Sequence, residues 1–479
     1  ILPDMMLGRL PVNSLEEADT MVSKIIDYEA TPTPANWKQQ VLAVADNSDS
    51  GGYFNLISDS LLNSTLPSSF TAQKVYLGVT HSTATAAKEA IKSGYGKFIV
   101  NYIGHGSTSI WATEAILRTT DIPTLTNGNQ QPIVLAMTCS EGYFIDPKSG
   151  NESMGEVTTR TAEKGAIASW SPTGEGIAQG HDLLDRGFMN ALLGDAVGTI
   201  GQATQAGKQL LNSSGFSLDL LDTYILFGDP ALNVPVSKTT INYTSPDPSD
   251  VNQGYTVSVT VYGEHGTPTG PVAVDDGAGA TCNISLVDGS GSCELISTTP
   301  GDKIVTASYS GNATYNTSVT TTSHSVKAVS STKISNDTPD PSYVGQAYTV
   351  SGSVSGNYGI PTGSVSVSDG NGASCSITLS GGEGSCSITS TDVGELTITA
   401  QYSGNDIYKP SNVTTMHRVD PVYSIAGTVL DSDGLPIQNV AISPGSGDPV
   451  YTNSSGFYSI GGLPAGYYLI SPAKPGYLF

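Results

Sequence analysis

Charged side chains are scarce in this sequence, and most of those present are acidic. Asp, Glu, Lys and Arg make up only 13% of the 479 residues, and 43 acidic against 20 basic residues give a net charge of −23. Proteins that bind nucleic acid need Lys and Arg to neutralise phosphates, so this balance argues against a nucleic-acid partner. It suits a soluble protein outside the cell, with structural calcium on its acidic surface as one possibility, although the charge alone favours a simply solvated surface.

Long apolar runs are also missing. No stretch of 18 consecutive apolar residues occurs, so we predict that this sequence contains no transmembrane helix. It begins with Ile and a strand-like phrase, so we interpret it as an internal piece of a longer polypeptide. On this interpretation the missing signal peptide says nothing about secretion, because the true amino terminus is not in view.

Cysteines are few, but their spacing is regular. Cys282 and Cys293 lie 11 residues apart, as do Cys375 and Cys386. Each pair predicts a local disulfide between two adjacent strands of a hairpin, a loop closure that contributes roughly 3 kcal/mol. Two disulfides indicate an oxidising compartment, so the predicted location is extracellular, either secreted or attached to a cell surface. Cys139 is left over, and it is either a buried structural thiol or a functional one.

Residues 1–236 alternate between short apolar runs and helical periods. Residues 97–103 and 133–138 are β-branched-rich and bounded by Gly and Pro, which is typical of buried parallel strands. Helical patterns separate such runs throughout this region. The pattern predicts an α/β domain with a mostly parallel sheet covered by helices.

Two of these strands end in reactive residues. The phrase KFIVNYIGHGS places His105 between two glycines, and PIVLAMTCSEGYF places Cys139 after the other strand. Ligands and chemistry collect at the carboxyl ends of parallel strands, so the two side chains are expected to face each other. A thiol beside an imidazole suits nucleophilic catalysis, although a strand-end His bonded to backbone is the alternative.

The composition changes after Val236, where Thr, Ser, Gly and Val alternate in short runs. TSPDPSDVNQGYTVSVTVYG from Thr244 matches DTPDPSYVGQAYTVSGSVSG from Asp337 at an offset of 93 residues. This repeat predicts two β-sandwiches of immunoglobulin-like size, at residues 237–329 and 330–421. Residues 422–479 carry DG, SG and PAG turns between short strands, which predicts a third small sandwich, truncated at its end.

Four phrases of residues 1–236 resemble the gingipain family of cysteine peptidases, which have a caspase-like fold. They are NYIGHGS around His105, MTCSEGYF around Cys139, GRLPV from Gly8 and FGDPALNV from Phe227, and the spacing of 34 residues from His to Cys also fits. The resemblance implies that the amino-terminal half of the peptidase domain precedes Ile1. The two repeats resemble bacterial immunoglobulin-like domains, and the last segment resembles the carboxypeptidase regulatory-like sandwich.

The resemblance implies a catalytic dyad of Cys139 and His105. It also implies that Asp46, at the end of an earlier strand, orients the imidazole. The backbone N–H groups of Gly106 and Cys139 could form the oxyanion hole. Arginine-cleaving members carry an acidic residue for the P1 side chain near the position of Tyr53, where this sequence has none, so arginine specificity is not implied.

Aromatic residues near these phrases are candidates for a substrate pocket. Trp111 and Trp170 could line it beside Tyr53, although aromatic residues in an α/β domain are more often core. Asp49 and Asp146 could be calcium ligands, but no regular calcium loop surrounds them. The metal is therefore left unassigned, and no cofactor is required for the predicted chemistry.

Two functions remain after these observations. The first is a secreted or cell-surface cysteine endopeptidase that hydrolyses peptide bonds of protein substrates, with the β-sandwiches as stalk or attachment modules that could bind surface or matrix ligands. The second is a surface adhesion or scaffold protein whose peptidase-like domain is inactive. The presence of both His105 and Cys139 favours the first.

Overall fold

The computed structural model describes residues 5–30, 36–145, 152–445 and 447–479. It divides into two compact units. The first contains residues 1–246, 254–296 and 303–324, and the second contains residues 247–253, 297–302 and 325–479.

A six-stranded sheet organises the first part of the chain. Its order is β2-β1-β3-β7-β8-β9, and all neighbours are parallel except β8 and β9. The described strands of residues 1–236 are β1 (Gln40–Ala45), β2 (Thr71–Tyr76), β3 (Ile99–Ile103), β4 (Gly106–Ser107), β5 (Ile110–Trp111), β6 (Leu117–Arg118), β7 (Ile133–Met137), β8 (Ala168–Pro172) and β9 (Tyr224–Phe227). The three short strands β4, β5 and β6 form a separate small sheet.

Helices cover both faces of the large sheet. The described helices are α1 (Leu15–Ala30), α2 (Phe54–Thr65), α3 (Ala84–Gly94), α4 (Met154–Arg160), α5 (Ala178–Met189), α6 (Ile200–Ser214) and α7 (Leu220–Thr223), with 3-10 helices at Asn36–Gln39 and Thr119–Thr124 and a π-helical turn at Asn190–Gly194. Alternate residues of a strand point to opposite faces, so β1 sends Val41 and Ala43 into the core under α2, α5 and α6. Leu42 and Val44 enter a second core under α3 and α4. The predicted mostly parallel sheet covered by helices is confirmed.

The first β-sandwich follows this sheet. Its strands are β10 (Lys238–Ser245), β11 (Ser249–Asp250), β12 (Gly254–Tyr262), β13 (Pro271–Asp275), β14 (Thr281–Ser285), β15 (Ser290–Ile296), β16 (Gly301–Tyr309) and β17 (Ser318–Lys327). In the first unit, β10-β12-β15 form one sheet and β17-β16-β13-β14 the other. A core that includes Val257, Val272 and Leu295 separates them.

The second sandwich repeats this arrangement within the second unit. Its strands are β18 (Ser331–Thr338), β19 (Ser342–Tyr343), β20 (Ala347–Ser355), β21 (Ser364–Ser368), β22 (Ser374–Thr378), β23 (Glu383–Thr389), β24 (Gly394–Tyr402) and β25 (Ser411–Asp420). The orders β18-β20-β23 and β25-β24-β21-β22 match the two orders of the first sandwich, and β19 pairs with β25 at the edge of the second of these sheets. The predicted repeat is therefore confirmed as a repeat of structure.

Two small sheets end the chain. The strands are β26 (Tyr423–Thr428), β27 (Ala441–Ser443), β28 (Val450–Tyr451), β29 (Phe457–Leu463) and β30 (Ser471–Ala473), in orders β26-β29 and β28-β27-β30. Val440, Ile442 and Ile460 form the core between them. The predicted domain boundaries after residues 236, 329 and 421 remain a proposal, and each falls in a gap between consecutive strands.

Both predicted disulfides form, but not within a hairpin. Cys282 bonds to Cys293, and Cys375 bonds to Cys386. Cys282 lies in β14 and Cys293 in β15, which belong to different sheets. The turn between these strands carries the chain from one sheet to the other, so the bond bridges the two layers. The expectation of a bond inside one hairpin was wrong in this respect.

Candidate active site

The carboxyl ends of β3 and β7 bring His105 and Cys139 to the same edge of the sheet. Ile103 of β3 pairs in register with Met137 of β7, and the Gly104 N–H donates to the Met137 carbonyl at 3.2 Å. His105 and Cys139 each follow this pair by two residues. Neighbouring strands lie about 5 Å apart, so both residues leave the sheet side by side.

The glycines on either side of His105 are required by packing. A Cβ on Gly104 would lie 2.4 Å from the Asp46 Cβ, and a Cβ on Gly106 would lie 2.4 Å from the Thr138 Oγ1. Real Cβ atoms do not approach other atoms this closely. The GHG phrase therefore lets the backbone around His105 fit between its two neighbouring strands.

The carboxylate that contacts the His105 ring is Asp49. Its Oδ2 lies 3.0 Å from His105 Nε2, and the side chain of His105 is 45% exposed. Phe54 meets the ring edge to face at a centroid distance of 5.2 Å. Hydrogen bonds from the Gly51 backbone and from His105 hold the pKa of Asp49 below its usual value. The carboxylate is thus ionised, and it can orient and stabilise an imidazolium.

Asp46 does not have the role that the sequence suggested. Its Oδ2 accepts a hydrogen bond from the backbone N–H of His105 at 3.2 Å, and its Oδ1 accepts from the Asn47 N–H at 2.8 Å. Burial raises the pKa of Asp46. Because Asp46 directly continues β1, its side chain meets the backbone of the adjacent β3 end, and the ring lies beyond it. Asp46 positions the loop, and Asp49 replaces it at the ring.

The loop after β1 needs glycine to reach the imidazole. The Gly51 N–H donates to the Asp49 Oδ1 at 2.7 Å, and a Cβ on Gly51 would lie 2.7 Å from His105 Cε1. The phrase DNSDSGG could have pointed to Asp49, because adjacent glycines allow a loop to fold closely over a neighbouring side chain.

Cys139 is the free cysteine of the chain, and it is half-buried. Its Sγ lies 3.6 Å from the Gly176 carbonyl oxygen. Ser140, the next residue, has a φ of 53°, a left-handed conformation that is uncommon outside glycine and turns the chain sharply. The Ser140 N–H donates to the Gly174 carbonyl at 2.8 Å, which ties the turn to the loop after β8.

Glu141 is fully buried beneath this turn. Burial raises the pKa of Glu141 to about 7, and the nearby polar groups of Ser171 and Trp111 offset that rise only in part. Neither carboxyl oxygen has a hydrogen-bond partner of normal geometry among the described residues. The group is therefore neutral in the folded protein at mildly acidic pH.

The two tryptophans predicted for the substrate pocket are instead core residues. Trp111 and Trp170 are both 0% exposed. Trp111 stacks on Tyr102 at a centroid distance of 4.4 Å, and Trp170 stacks on Phe188 at 5.4 Å. Burial of a large aromatic ring stabilises the fold more than exposure of the ring at a solvated pocket does. The assignment of Trp111 and Trp170 to the substrate pocket was therefore wrong.

Tyr53, by contrast, is 69% exposed and stands just before α2, next to the loop of Asp49. Its place in a substrate pocket stays a prediction, as does the oxyanion hole formed by Gly106 and Cys139. Of the two calcium candidates, Asp49 contacts His105 and Asp146 lies outside the described residues.

The described part of the chain contains no helix that is both long and apolar enough to cross a membrane.

Three family models match the chain in succession. The model described as Peptidase family C25 matches residues 1–235. The bacterial Ig-like domain (group 3) matches residues 335–419, and the carboxypeptidase regulatory-like domain matches residues 424–478. These matches confirm the resemblances of the peptidase-like part, of the second repeat and of the last segment, and the resemblance of the first repeat stays a prediction.

The curated relatives are gingipains of Porphyromonas gingivalis. Gingipain R1 is 25% identical over 303 residues, which are 59% of this chain and 30% of that protein. Lys-gingipain HG66 is 28% identical over 171 residues, which are 35% of this chain and 9% of that protein. The chain spans 30% of the length of gingipain R1 and 41% of that of gingipain R2.

Among solved structures, the crystal structure of the Arg-specific cysteine proteinase gingipain R is similar. It is 21% identical, with a TM-score of 0.43 over 67% of this chain and 75% of that one.

Proposed function

Residues 1–235 of this chain belong to peptidase family C25, and on that premise we propose that the chain is a cysteine endopeptidase with Cys139 as nucleophile and His105 as base. The observation that carries the proposal is that His105 and Cys139 follow the carboxyl ends of the neighbouring parallel strands β3 and β7. His105 and Cys139 each follow the paired strand residues Ile103 and Met137 by two positions, and the Asp49 Oδ2 lies 3.0 Å from the His105 Nε2, which supports the proposal. A nucleophile, a base and a group that orients the base are the parts that thiol acyl transfer needs.

In the first step, His105 takes the thiol proton of Cys139. The thiolate then attacks the carbonyl carbon of the peptide bond, so that an S–C bond forms, and the C–N bond breaks as His105 passes its proton to the leaving amine. In the second step, water attacks the thioester while His105 accepts the water proton. The S–C bond breaks and the acid product leaves.

The roles of the surrounding groups follow from the charges that appear in these steps. Asp49 stabilises the imidazolium that forms when Cys139 ionises, and it fixes which ring nitrogen faces the thiol. The N–H groups of Gly106 and Cys139 donate to the oxyanion of the tetrahedral intermediate. Asp46 holds the backbone of His105 and acts only through position.

We further propose that P1 side chains of substrates are not basic. The exposed ring of Tyr53 stands beside the loop of Asp49 and carries no charge to pair with arginine. Asp49, the acidic group that contacts the His105 ring among the described residues, is already paired with it.

Location outside the cell, with the β-sandwiches as stalk or attachment modules, is supported by the two disulfides. Such bonds persist in oxidising compartments and are rare in the cytosol. Protein substrates are the partners that the family implies. Surface or matrix ligands of the sandwiches stay a proposal.

The test is hydrolysis of a peptide library that varies at P1, by the wild-type chain and by the variants Cys139→Ala and His105→Ala. His81→Ala is the matched control, because His81 bonds to Thr80 on the surface of the same domain. Loss of cleavage in both dyad variants but not in the control supports the proposal. If wild type cleaves none of the library, the alternative of an inactive surface scaffold replaces it.

A further inference from the structure

Three metal-ligating side chains converge in the second sandwich. Asp337 lies near the end of β18, Asp340 lies in the loop before β19, and His417 lies in β25. His417 Nδ1 is 3.2 Å from the Asp337 Oδ2 and 3.6 Å from the Asp340 Oδ1. The three ligand atoms all lie within 4.8 Å of one another.

The imidazole of His417 is held in one orientation. Its side chain is 0% exposed and stacks on Tyr348 at a centroid distance of 3.7 Å. Nε2 lies 2.9 Å from the hydroxyl oxygen of Ser342, which is itself fully buried. When Nε2–H donates to Ser342, Nδ1 presents a lone pair to two carboxylates. Three electron-pair donors then face one another, an arrangement that a cation between them would stabilise.

The distances suit a small divalent ion. A tetrahedral zinc ion with bonds of about 2.1 Å separates neighbouring ligand atoms by roughly 3.4 Å. The two measured separations from Nδ1, 3.2 and 3.6 Å, bracket this value. Asp340 is 40% exposed, so solvent can reach the cluster and supply a fourth ligand.

We propose that Asp337, Asp340 and His417 form a binding site for a divalent transition-metal ion, with zinc as its best probe. One imidazole and two carboxylates favour zinc over calcium, because calcium prefers six or more oxygen ligands. An ion here would tie the end of β18 to β25, strands that belong to the two different sheets of the sandwich.

The carboxylate of Asp340 is already positioned by the backbone. Its Oδ1 accepts a hydrogen bond from the Arg418 N–H at 3.0 Å. The guanidinium of Arg418 donates to Asp420 at 2.7 Å, so the positive charge of Arg418 is paired with Asp420 and not with Asp340. Asp340 therefore keeps a free lone pair on a fixed oxygen.

The first repeat shows which residue distinguishes the site. At the offset of 93 residues, His324 corresponds to His417 and Thr244 corresponds to Asp337. His324 also stacks on a tyrosine, Tyr255, at 3.7 Å, and its Nδ1 lies 3.1 Å from the Thr244 Oγ1. The stacked histidine is thus common to both repeats, whereas the carboxylate of Asp337 occurs only in the second. A Thr hydroxyl can donate to Nδ1, so the first repeat has one carboxylate fewer with which to hold a cation.

The test uses the full chain with Cys139→Ala, since the thiol and imidazole of the catalytic edge would also bind zinc. We compare calorimetric titrations with zinc chloride of this parent and of the parent that also carries Asp337→Thr. Threonine is chosen because Thr244 occupies the equivalent position in the first repeat. We expect Asp337→Thr to weaken binding at one site by at least about 10-fold. His324→Asn is the matched control and should leave the titration unchanged.

A second readout separates coordination from an ion pair. Cobalt in the parent should give the strong visible absorption of a tetrahedral site, and Asp340→Asn should reduce it while keeping the acceptor for the Arg418 N–H. Equal zinc binding by the parent and Asp337→Thr would overturn the proposal, as would the absence of the cobalt absorption. His417 would then only hydrogen-bond to its neighbours Asp337 and Ser342, without a metal.

Discussion

Replacing Glu141 with Gln should stabilise the peptidase domain, and more so as the pH rises. Glu141 is 0% exposed, and burial raises its pKa from 4.5 to about 7. Below pH 4.5 the carboxyl is protonated in both the folded and the unfolded chain, and it contributes nothing. Between 4.5 and 7 the unfolded chain releases the proton while the folded chain keeps it, so folding becomes less favourable.

The size of the effect follows from the pKa shift. A change from 4.5 to about 7 corresponds to roughly 3 kcal/mol, fully present above pH 7. The Glu141→Gln variant lacks this titration. Its gain in unfolding free energy over wild type should therefore grow by about 2 to 3 kcal/mol between pH 5 and pH 8.

Denaturant unfolding followed by tryptophan fluorescence measures this difference. All three tryptophans lie at positions 37, 111 and 170, so the signal reports only on the peptidase domain. Asp185 also has a pKa raised to about 7 by burial, but it is present in both proteins and cancels in the comparison. A stability difference that is the same at both pH values would refute the reasoning.

Three further perturbations have defined outcomes. Asp49→Asn removes the charge that faces His105, and kcat/KM should fall by about 10- to 100-fold. The loss should be confined to the part of the pH–rate profile that depends on protonation of the imidazole. Gly51→Ala puts a methyl group 2.7 Å from His105 Cε1, so it should lower kcat in peptide hydrolysis while the melting temperature of the domain changes little. Replacing Cys282 and Cys293 by Ser removes the bond between two sheets and should cost the first sandwich roughly 3 kcal/mol in denaturant unfolding.

Each of these has its own check. Asp46→Asn is the control for Asp49, since it keeps an acceptor for the His105 N–H and should change kcat/KM less than Asp49→Asn. The corresponding pair Cys375 and Cys386 offers an independent replicate of the disulfide result. Equal losses of kcat/KM in Asp46→Asn and Asp49→Asn would contradict the assigned carboxylate contacts. A free energy of unfolding that is unchanged when either disulfide is removed would contradict the stabilising role given to these bonds.

The sheet and the positions of Cys139 and His105 at its edge could be predicted because their signals are local. Residues 133–138 form a run of apolar and small residues that ends at Cys139, and a buried parallel strand is the structure that such a run favours. The position of His105 follows in the same way. Parallel register then brings the two strand ends together without any further information.

The carboxylate that contacts the His105 ring could not be identified from the sequence in the same way. Asp46 continues a strand and Asp49 lies in a loop, and strand ends carry much of the chemistry in α/β folds. Which of the two reaches the imidazole depends on how the loop turns back, and that is set by the close approach of Gly51 to the ring. Only the three-dimensional path of the loop decides between them.

Contacts between segments that are distant in sequence could not be predicted either, because they also depend on the three-dimensional path of the chain. The spacing of Cys282 and Cys293 is the same for a hairpin and for a turn that crosses between sheets. The cluster of Asp337, Asp340 and His417 joins residues about 80 positions apart, and no spacing motif marks it. Burial of Trp111 and Trp170 depends on packing against rings from other elements, which composition does not reveal.

The most direct test of the central claim is active-site labelling with a peptide that carries a thiol-directed electrophile, followed by mass spectrometry. Cys139 is the free thiol among five cysteines, so a native chain can take up one label at most. The account predicts stoichiometric labelling of Cys139 near neutral pH that slows strongly in His105→Ala and is unchanged in His81→Ala. Labelling that proceeds at the same rate in wild type and His105→Ala would contradict it, because the imidazole would then not activate the thiol.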